Sequence, residues 1–185
     1  MHLPRLSPVR LISIAVLACA AALPSAAPLP ASALPAPPAR AAATPRCATS
    51  GLVIWLNDEP GGGTAGSIYY KLELTNLSGR ACTLAGYPGV SAVNLAGHKL
   101  GAGAGHEAFQ TPRTVRLGIG ATASAVLRIV DAGVFSASAC REVTAAGLRV
   151  YPPGATTSKV VPFPFQACSH AGMSNLAVRA VVAGA

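Results

Sequence analysis

The residues best suited to chemistry are a neighbouring histidine and glutamate, His106 and Glu107, which lie between a glycine-rich stretch and Phe109. An imidazole beside a carboxylate can act as a general base or contribute to a metal site. However, the chain contains neither the HExxH pattern of zinc hydrolases nor the GxSxG pattern of serine hydrolases. We therefore predict no catalytic residue and no enzyme activity. An envelope hydrolase centred on His106 and Glu107 is the alternative.

Other acidic residues are few, and they suggest neither a metal nor a cofactor. Asp58 and Glu59 in a glycine-rich loop could help to hold calcium, but calcium takes about six to eight oxygen ligands. A solvated loop is the simpler interpretation. Glu73 alternates with apolar residues in a predicted strand, so we expect its side chain to point outward. No two carboxylates form the facing pair that glycoside hydrolysis needs.

The cysteines predict two disulfides. Cys47, Cys82, Cys140 and Cys168 lie beyond the N-terminal segment, and an even number in an exported chain is typical of disulfide bonding. Three connectivities are possible, and the sequence alone does not choose among them. We favour Cys47–Cys82 and Cys140–Cys168, because each pair then links neighbouring strands within one half of the domain. A zinc site is the alternative, but structural zinc sites use closely spaced pairs that are missing here.

The N-terminal segment has the composition of a signal peptide, which we predict over residues 1–33. Arg5 and Arg10 provide the positive start, an apolar stretch follows from Leu11 to Leu23, and cleavage is expected after Ala33 or near Ala27. A membrane-spanning helix needs about 20 apolar residues, and this stretch is shorter. We therefore predict no transmembrane helix in the mature chain.

A cysteine inside this segment provides an alternative to simple secretion. The stretch from Val16 to Cys19 resembles the lipobox of bacterial lipoproteins, in which the cysteine is lipidated and becomes the new N-terminus. In that case the signal is residues 1–18, and the protein is anchored to the outer face of the cytoplasmic membrane. Residues 1–46 hold nine of the sixteen prolines. We predict that residues 34–46 form an Ala/Pro-rich tether.

From Cys47 onward, short apolar runs alternate with glycine- and proline-containing turns. The clearest strand is Ser67 to Thr75, in which every second residue is apolar. The segments 114–117 and 122–130 are predicted to pair as a hairpin across Gly118-Ile119-Gly120. Residues 157–165 are extended, but Pro162 and Pro164 place them on a sheet edge.

The end of the chain has the same character. Asn175 to Val182 is predicted to form a closing strand with Leu176, Val178, Ala180 and Val182 on one side. Only the segment 131–146 offers a helical turn. About eight or nine short strands predict an all-β fold over residues 47–185, an immunoglobulin-like antiparallel sandwich. An open barrel is the alternative.

Aromatic and basic residues are the candidates for binding. Tyr87, Tyr151, Phe163 and Phe165 stand beside prolines and could form a contact patch, although aromatics at such positions commonly anchor turns against a core. The part beyond Arg46 carries a net charge of +4 without a run of basic residues, which argues against nucleic-acid binding. Arginines at outward strand positions would form an anion-binding surface if several align on one sheet face.

Several motifs together carry a family resemblance. The stretch 69–79 reads YYKLELTNLSG and is followed by CTLAGYPGV at 82–90. Further along come LRVYPPG at 148–154 and VPFP at 161–164, before Cys168. Together they resemble the exported family catalogued as domain of unknown function 4232, found mainly in high-GC Gram-positive bacteria. The resemblance covers nearly all of the predicted folded part.

The resemblance implies a secreted or lipid-anchored envelope domain with a β-sandwich fold. It also supports the two local disulfides and supplies no catalytic residues. One departure is the turn Leu117-Gly118-Ile119-Gly120, where relatives often have a proline before the glycine. We therefore expect a non-enzymatic binding or accessory module whose partner is an envelope protein, a glycan or an anionic wall polymer. A purely structural domain without a ligand is a further alternative.

Overall fold

The structure, a computed structural model, describes residues 43–57 and 62–185. The predicted signal peptide, the lipidation candidate Cys19 and the acidic residues Asp58 and Glu59 lie outside the described residues. Of the predicted tether only residues 43–46 are described. Arg46 pairs with Thr83, and the Pro45 carbonyl accepts a hydrogen bond from the Thr83 N–H, so contacts with the folded part begin at Pro45.

Strands dominate the described residues, and many of them are short because glycines and prolines interrupt the apolar runs. They are β1 (Leu52–Asn57), β2 (Gly63–Thr64), β3 (Ser67–Asn76), β4 (Cys82–Ala85), β5 (Gly89–Val93), β6 (Lys99–Leu100), β7 (Gly105–His106), β8 (Thr114–Leu117), β9 (Thr122–Val130), β10 (Glu142–Tyr151), β11 (Lys159–Cys168), β12 (Leu176–Val178) and β13 (Val182–Ala183). Two 3-10 turns, Thr49–Gly51 and Ala132–Val134, and the one-turn α-helix α1 (Ala137–Cys140) complete the described structure.

The strands form three sheets. The large sheet has the order β1-β3-β9-β12-β7, with β2 added to β3 and β13 added to β9. The second sheet has the order β11-β10-β5-β6, and the third consists of β4 and β8. All pairs are antiparallel except β12 and β7, which run parallel.

One hydrophobic core joins the inner faces of the three sheets. Leu72, Leu74 and Leu127 of the large sheet are fully buried against Leu148 of the second sheet and Leu117 of the third, all within one cluster. Burial of such a side chain contributes roughly 1.5–3 kcal/mol. The predicted all-β sandwich is therefore confirmed.

Both disulfides form with the pairing favoured from the sequence, Cys47–Cys82 and Cys140–Cys168. The prediction that Pro162 and Pro164 lie on an edge is also confirmed, because β11 is the first strand of its sheet. A proline has no N–H to donate to a second neighbouring strand, so an edge position costs no ladder hydrogen bond.

The predicted hairpin between β8 and β9 is wrong. The strand β8 pairs with β4, whereas β9 pairs with β3 along nine residues from Thr122 to Val130. A long ladder with β3 satisfies more backbone groups than a four-residue hairpin could. The pairing of β8 with β4 leaves Leu117 buried in the core from the third sheet. The glycine turn therefore connects two sheets.

The C-terminal prediction also needs correction. The predicted strand 175–182 is split into β12 and β13, so the alternation shifts by one residue after Ala180. Val181 is buried, and Val182 is exposed although it was predicted to lie on the same side as the buried Leu176. The helical turn predicted within 131–146 is confirmed as α1, whereas residues 142–146 of that segment belong to the long strand β10.

Glu73 lies on the outer face of the large sheet, as the alternation predicts, but it is only 3% exposed. Trp55 on β1 and Ser124 on β9 flank it in register and point to the same side of the sheet. The expectation of a solvated glutamate is therefore wrong, because side chains from the two neighbouring strands flank Glu73 on this face.

Candidate functional site

The two residues that the sequence singled out for chemistry point to different partners. The His106 ring stacks on Tyr87, with 4.2 Å between ring centroids and 7° between planes. The Glu107 carboxylate lies 2.9 Å from Arg128 Nε and 3.1 Å from Arg179 Nε. Successive residues in an extended chain face opposite sides, so the imidazole and the carboxylate do not converge.

Glu107 is the centre of a charged cluster on the outer face of the large sheet. Arg179 Nε donates a hydrogen bond to it, whereas the Arg128 contact is an ion pair in which the N–H does not point at the oxygen. The Arg179 guanidinium lies 4.2 Å from the centroid of the Phe109 ring and 5.7 Å from that of Tyr69. Because two arginines share one carboxylate, the cluster keeps a positive charge.

The four aromatics predicted as a binding patch are separated in the structure. Tyr87 stacks on His106, and Tyr151 lies against the backbone of Gly89. Only Phe163 and Phe165 lie together, with 6.0 Å between their ring centroids. Phe163 and Phe165 are two residues apart in β11, so strand alternation places their side chains on the same side of the edge strand.

A third ring joins these two phenylalanines. Tyr70 on β3 meets Phe163 edge to face, with 5.0 Å between centroids. The three rings belong to a groove of about 450 Å³ between the large sheet and β11, which we call the aromatic groove. Ile68, 45% exposed, and Ile129 continue its apolar wall. Rings packed edge to face and at a tilt provide a rigid apolar surface.

Polar groups lie at the rim of the aromatic groove. Asp131 uses one carboxylate oxygen, Oδ1, to accept a hydrogen bond from the Gly133 N–H. Gln166, Ser67 and Thr64 add an amide and two hydroxyl groups. Apolar walls with a few polar groups are typical of sites for small molecules or chain segments.

Residues 47–182 match the sequence profile described as Domain of unknown function (DUF4232). The chain belongs to the DUF4232 family. The family resemblance seen in the sequence motifs is thereby confirmed, and the matched segment contains every described strand up to the start of β13. No similar protein was found among curated proteins.

The DUF4232 domain contains two buried asparagines that the sequence analysis missed as structural residues. Asn76 is completely buried, and its amide donates to the carbonyls of Arg80, Leu117 and Gly118. Its Oδ1 accepts hydrogen bonds from the N–H and hydroxyl of Ser78. The tripeptide 76–78 resembles a glycosylation site in sequence only, because the Asn76 amide nitrogen is fully used within the fold.

Asn175 has the equivalent role on the other side of the DUF4232 domain. Its amide donates to the carbonyls of Val130 and Gln166, and its Oδ1 accepts from the Cys168 N–H. The side chain therefore ties the large sheet to β11. A polar residue between apolar segments gives no sequence signal for such a role, because its partners come from other strands.

Two further observations bear on location. The two disulfides indicate an extracytoplasmic, oxidising environment for the DUF4232 domain. Among the described residues no helix is long and apolar enough to cross a bilayer.

Proposed function

We propose that this DUF4232 domain is a non-enzymatic module of the cell envelope that binds a glycan segment in its aromatic groove. The observation that carries the proposal is the cluster of Tyr70, Phe163 and Phe165 in an open groove with polar groups at its rim. Sugar rings offer apolar C–H faces and hydroxyl edges, so they match aromatic walls combined with amide and carboxylate groups.

The two disulfides support the envelope location, and the predicted N-terminal signal provides the route. The export signal over residues 1–33, or lipidation at Cys19 after a shorter signal, would place the domain outside the cytoplasm on an Ala/Pro-rich tether. Intact mass of the membrane-bound and released forms distinguishes the two routes, since only the lipidated form begins at Cys19 and carries acyl chains.

The absence of enzyme activity is part of the same proposal. It is supported by the contacts of the two residues proposed for the alternative hydrolase site. Glu107 forms ion pairs with two arginines, and the His106 ring is stacked on Tyr87. A general base needs a free lone pair within reach of its substrate. Release of reducing ends from wall glycan by the purified protein, lost in H106A, would contradict this part.

The binding test uses the disulfide-bonded protein and two probes, N-acetylglucosamine oligomers and solubilised wall glycan. Isothermal titration should show saturable binding of at least one probe, weakened about tenfold or more in Phe165→Ala. A stacked ring contributes about 0.5–1.5 kcal/mol beyond the apolar area that it buries, and about 1.4 kcal/mol is tenfold in affinity.

The control variant is Phe109→Ala, which removes an equally large ring from the outer face of the large sheet and should leave glycan affinity unchanged. Because Phe165 also packs against the core, Ile68→Ser provides a second test at an exposed wall position. Equal affinity of the wild type, F165A and I68S would overturn the proposed groove.

A further inference from the structure

We propose that a second groove, between β8 and β13, binds a phosphate group through Arg113 and Arg116. This basic groove has a volume of about 630 Å³ and is lined by Gln110, Thr111, Arg113, Thr114, Arg116 and Val181 among others. It shares no lining residue with the aromatic groove, so it does not depend on the proposed glycan function.

The first argument is charge. Elsewhere the sheet arginines have protein partners: Arg128 and Arg179 share Glu107, and Arg149 donates to the Gly97 carbonyl at 2.6 Å. Within the described part of the chain, Arg113 and Arg116 have no hydrogen-bond or ion-pair partner. No lining residue of the basic groove is acidic. Two uncompensated guanidinium groups on one groove produce a local positive potential that attracts anions.

The second argument is the scaffold. In β8 the residues Thr114 and Arg116 point outward, while Val115 and Leu117 are buried. The opposite wall is the segment 181–183, which is fixed by the hydrogen bond from Val181 N–H to the Gly86 carbonyl and by the pairing of β13 with β9. Arg116 stands on a paired strand and Arg113 is the residue directly before that strand, so both lose less freedom on binding than side chains in the middle of a long loop.

The third argument is the match of donors to acceptors. A carboxylate has two oxygens, which a single guanidinium fork can occupy. Two forks with the hydroxyls of Thr111 and Thr114 offer more donors than a carboxylate accepts. A phosphate monoester carries a charge of about −1.5 to −2 and three strong acceptor oxygens, which matches this set. Arginine is the residue whose planar fork fits phosphate best.

The phosphate can come from two sources, a small phosphomonoester or the repeating phosphodiesters of an envelope polymer. A phosphodiester has one charge and two terminal oxygens, so in the polymer two neighbouring phosphates together match the two guanidinium forks. Val181 and Val182 give one wall of the groove an apolar character, which suits the carbon skeleton to which the phosphate is attached. The experiment therefore titrates the disulfide-bonded protein with glycerol 3-phosphate and, separately, with a glycerol-phosphate polymer. Ionic strength is held constant with sodium chloride, because screening weakens every charge interaction.

The measurement is two-dimensional proton–nitrogen NMR. We expect saturable shifts confined to residues 110–116 and 181–183, and at least tenfold weaker binding in Arg113→Gln and in Arg116→Gln. The matched control is Arg141→Gln, which removes the same charge from an exposed arginine that lines neither groove. Shifts with both probes assign a site for single phosphate groups, whereas shifts with the polymer alone assign the polymer as the source.

Three results would overturn the basic groove. The first is the lack of a saturable shift with either probe. The second is equal weakening in R141Q and the two groove variants, which would indicate diffuse attraction to net charge. The third is equally tight binding of polyglutamate, which would show that the donors do not select phosphate. None of these results bears on glycan binding, which is tested with F165A and I68S.

Discussion

The large sheet meets the two smaller sheets at two junctions that use the same residue types in different surroundings. At the N-terminal junction, the turn 49–51 and the end of β3 meet the sheet of β4 and β8, with Cys47–Cys82 and Asn76 between them. At the C-terminal junction, β9 and β12 meet β11 and α1, with Cys140–Cys168 and Asn175 between them.

The difference lies in the packing around the two disulfides. Cys47 and Cys82 belong to the main core cluster, whereas Cys140 and Cys168 form a small separate cluster with Ala132. Among the described residues, the partly buried hydrophobic side chains that pack against this second cluster are Phe135 and Met173. The disulfide Cys47–Cys82 therefore reinforces a region that already has a core, whereas Cys140–Cys168 holds a segment that has little core of its own.

The largest effects should come from removing the disulfides. Closure of loops with sequence separations of 35 and 28 predicts losses of about 3–4 kcal/mol each. Cys47→Ala with Cys82→Ala should lower the free energy of global unfolding, since the pair lies in the main core. Cys140→Ala with Cys168→Ala should mainly open the segment 132–141.

Denaturant titration with native-state hydrogen exchange separates these outcomes. Amide protection in 132–141 should fall below the global value in the second double variant only. Identical exchange patterns in both double variants would mean that the two junctions are equivalent, and the contrast would be lost.

The next effects concern the asparagines. Asn76→Ala removes two N–H donors that three carbonyls share and an oxygen that accepts two hydrogen bonds. Asn175→Ala removes two donated hydrogen bonds and one accepted. Each buried group left without a partner costs about 1–3 kcal/mol, although neighbouring losses do not add fully. We expect losses of about 3–4 kcal/mol for N76A and about 2–3 kcal/mol for N175A in urea unfolding.

A third asparagine provides the control for this pair. Asn94 accepts one hydrogen bond from the His98 N–H at an exposed loop, so Asn94→Ala should cost less than about 1 kcal/mol. A larger loss of unfolding free energy in N175A than in N76A would show that the asparagine at the C-terminal junction contributes more to stability, contrary to our expectation.

The smallest effects concern the glycine at each junction. A Cβ on Gly101 would collide with the backbone carbonyls of Cys168 and Met173, and its φ of 59° disfavours a side chain. A Cβ on Gly51 would collide with the Cβ of Ser78 at 2.5 Å, but Ser78 lies in an exposed turn that can shift more easily than two backbone carbonyls. We expect Gly101→Ala to cost about 2–3 kcal/mol and Gly51→Ala about 1 kcal/mol, measured by thermal unfolding.

Gly118 serves as the control, because a Cβ there would meet no atom within 4 Å. Gly118→Ala should therefore be neutral or slightly stabilising, since it restricts the unfolded chain. If G51A proved more costly than G101A, the N-terminal junction would be the more tightly packed of the two.

Much of the fold could be predicted because its signals are local. Alternation in 67–75 identifies β3, and Pro162 and Pro164 identify an edge strand. The pairing of β8 could not be predicted in the same way, since the short turn 118–120 suits a hairpin equally well. Its true partner, β4, is chosen by the core and by Asn76, which binds the carbonyls of Leu117 and Gly118.

The candidate sites show the same division. The sequence singled out Phe163 and Phe165 as binding candidates, whereas Tyr70 fell within the predicted strand 67–75 and was not among them. The aromatic groove forms because two sheets bring Tyr70 and Phe163 within 5.0 Å. Likewise, Glu107 was considered with His106 as the centre of a hydrolase site, but the fold places two arginines against its carboxylate.

The sequence by itself determined the β-strand pattern, the number of disulfides and the family, because each depends on residue types and their order along the chain. Only the tertiary structure decided which strands pair, which outward residues are covered and where the grooves lie. Glu73 illustrates the reason. Its outward direction follows from strand alternation, but its burial depends on Trp55 and Ser124, which two other strands supply.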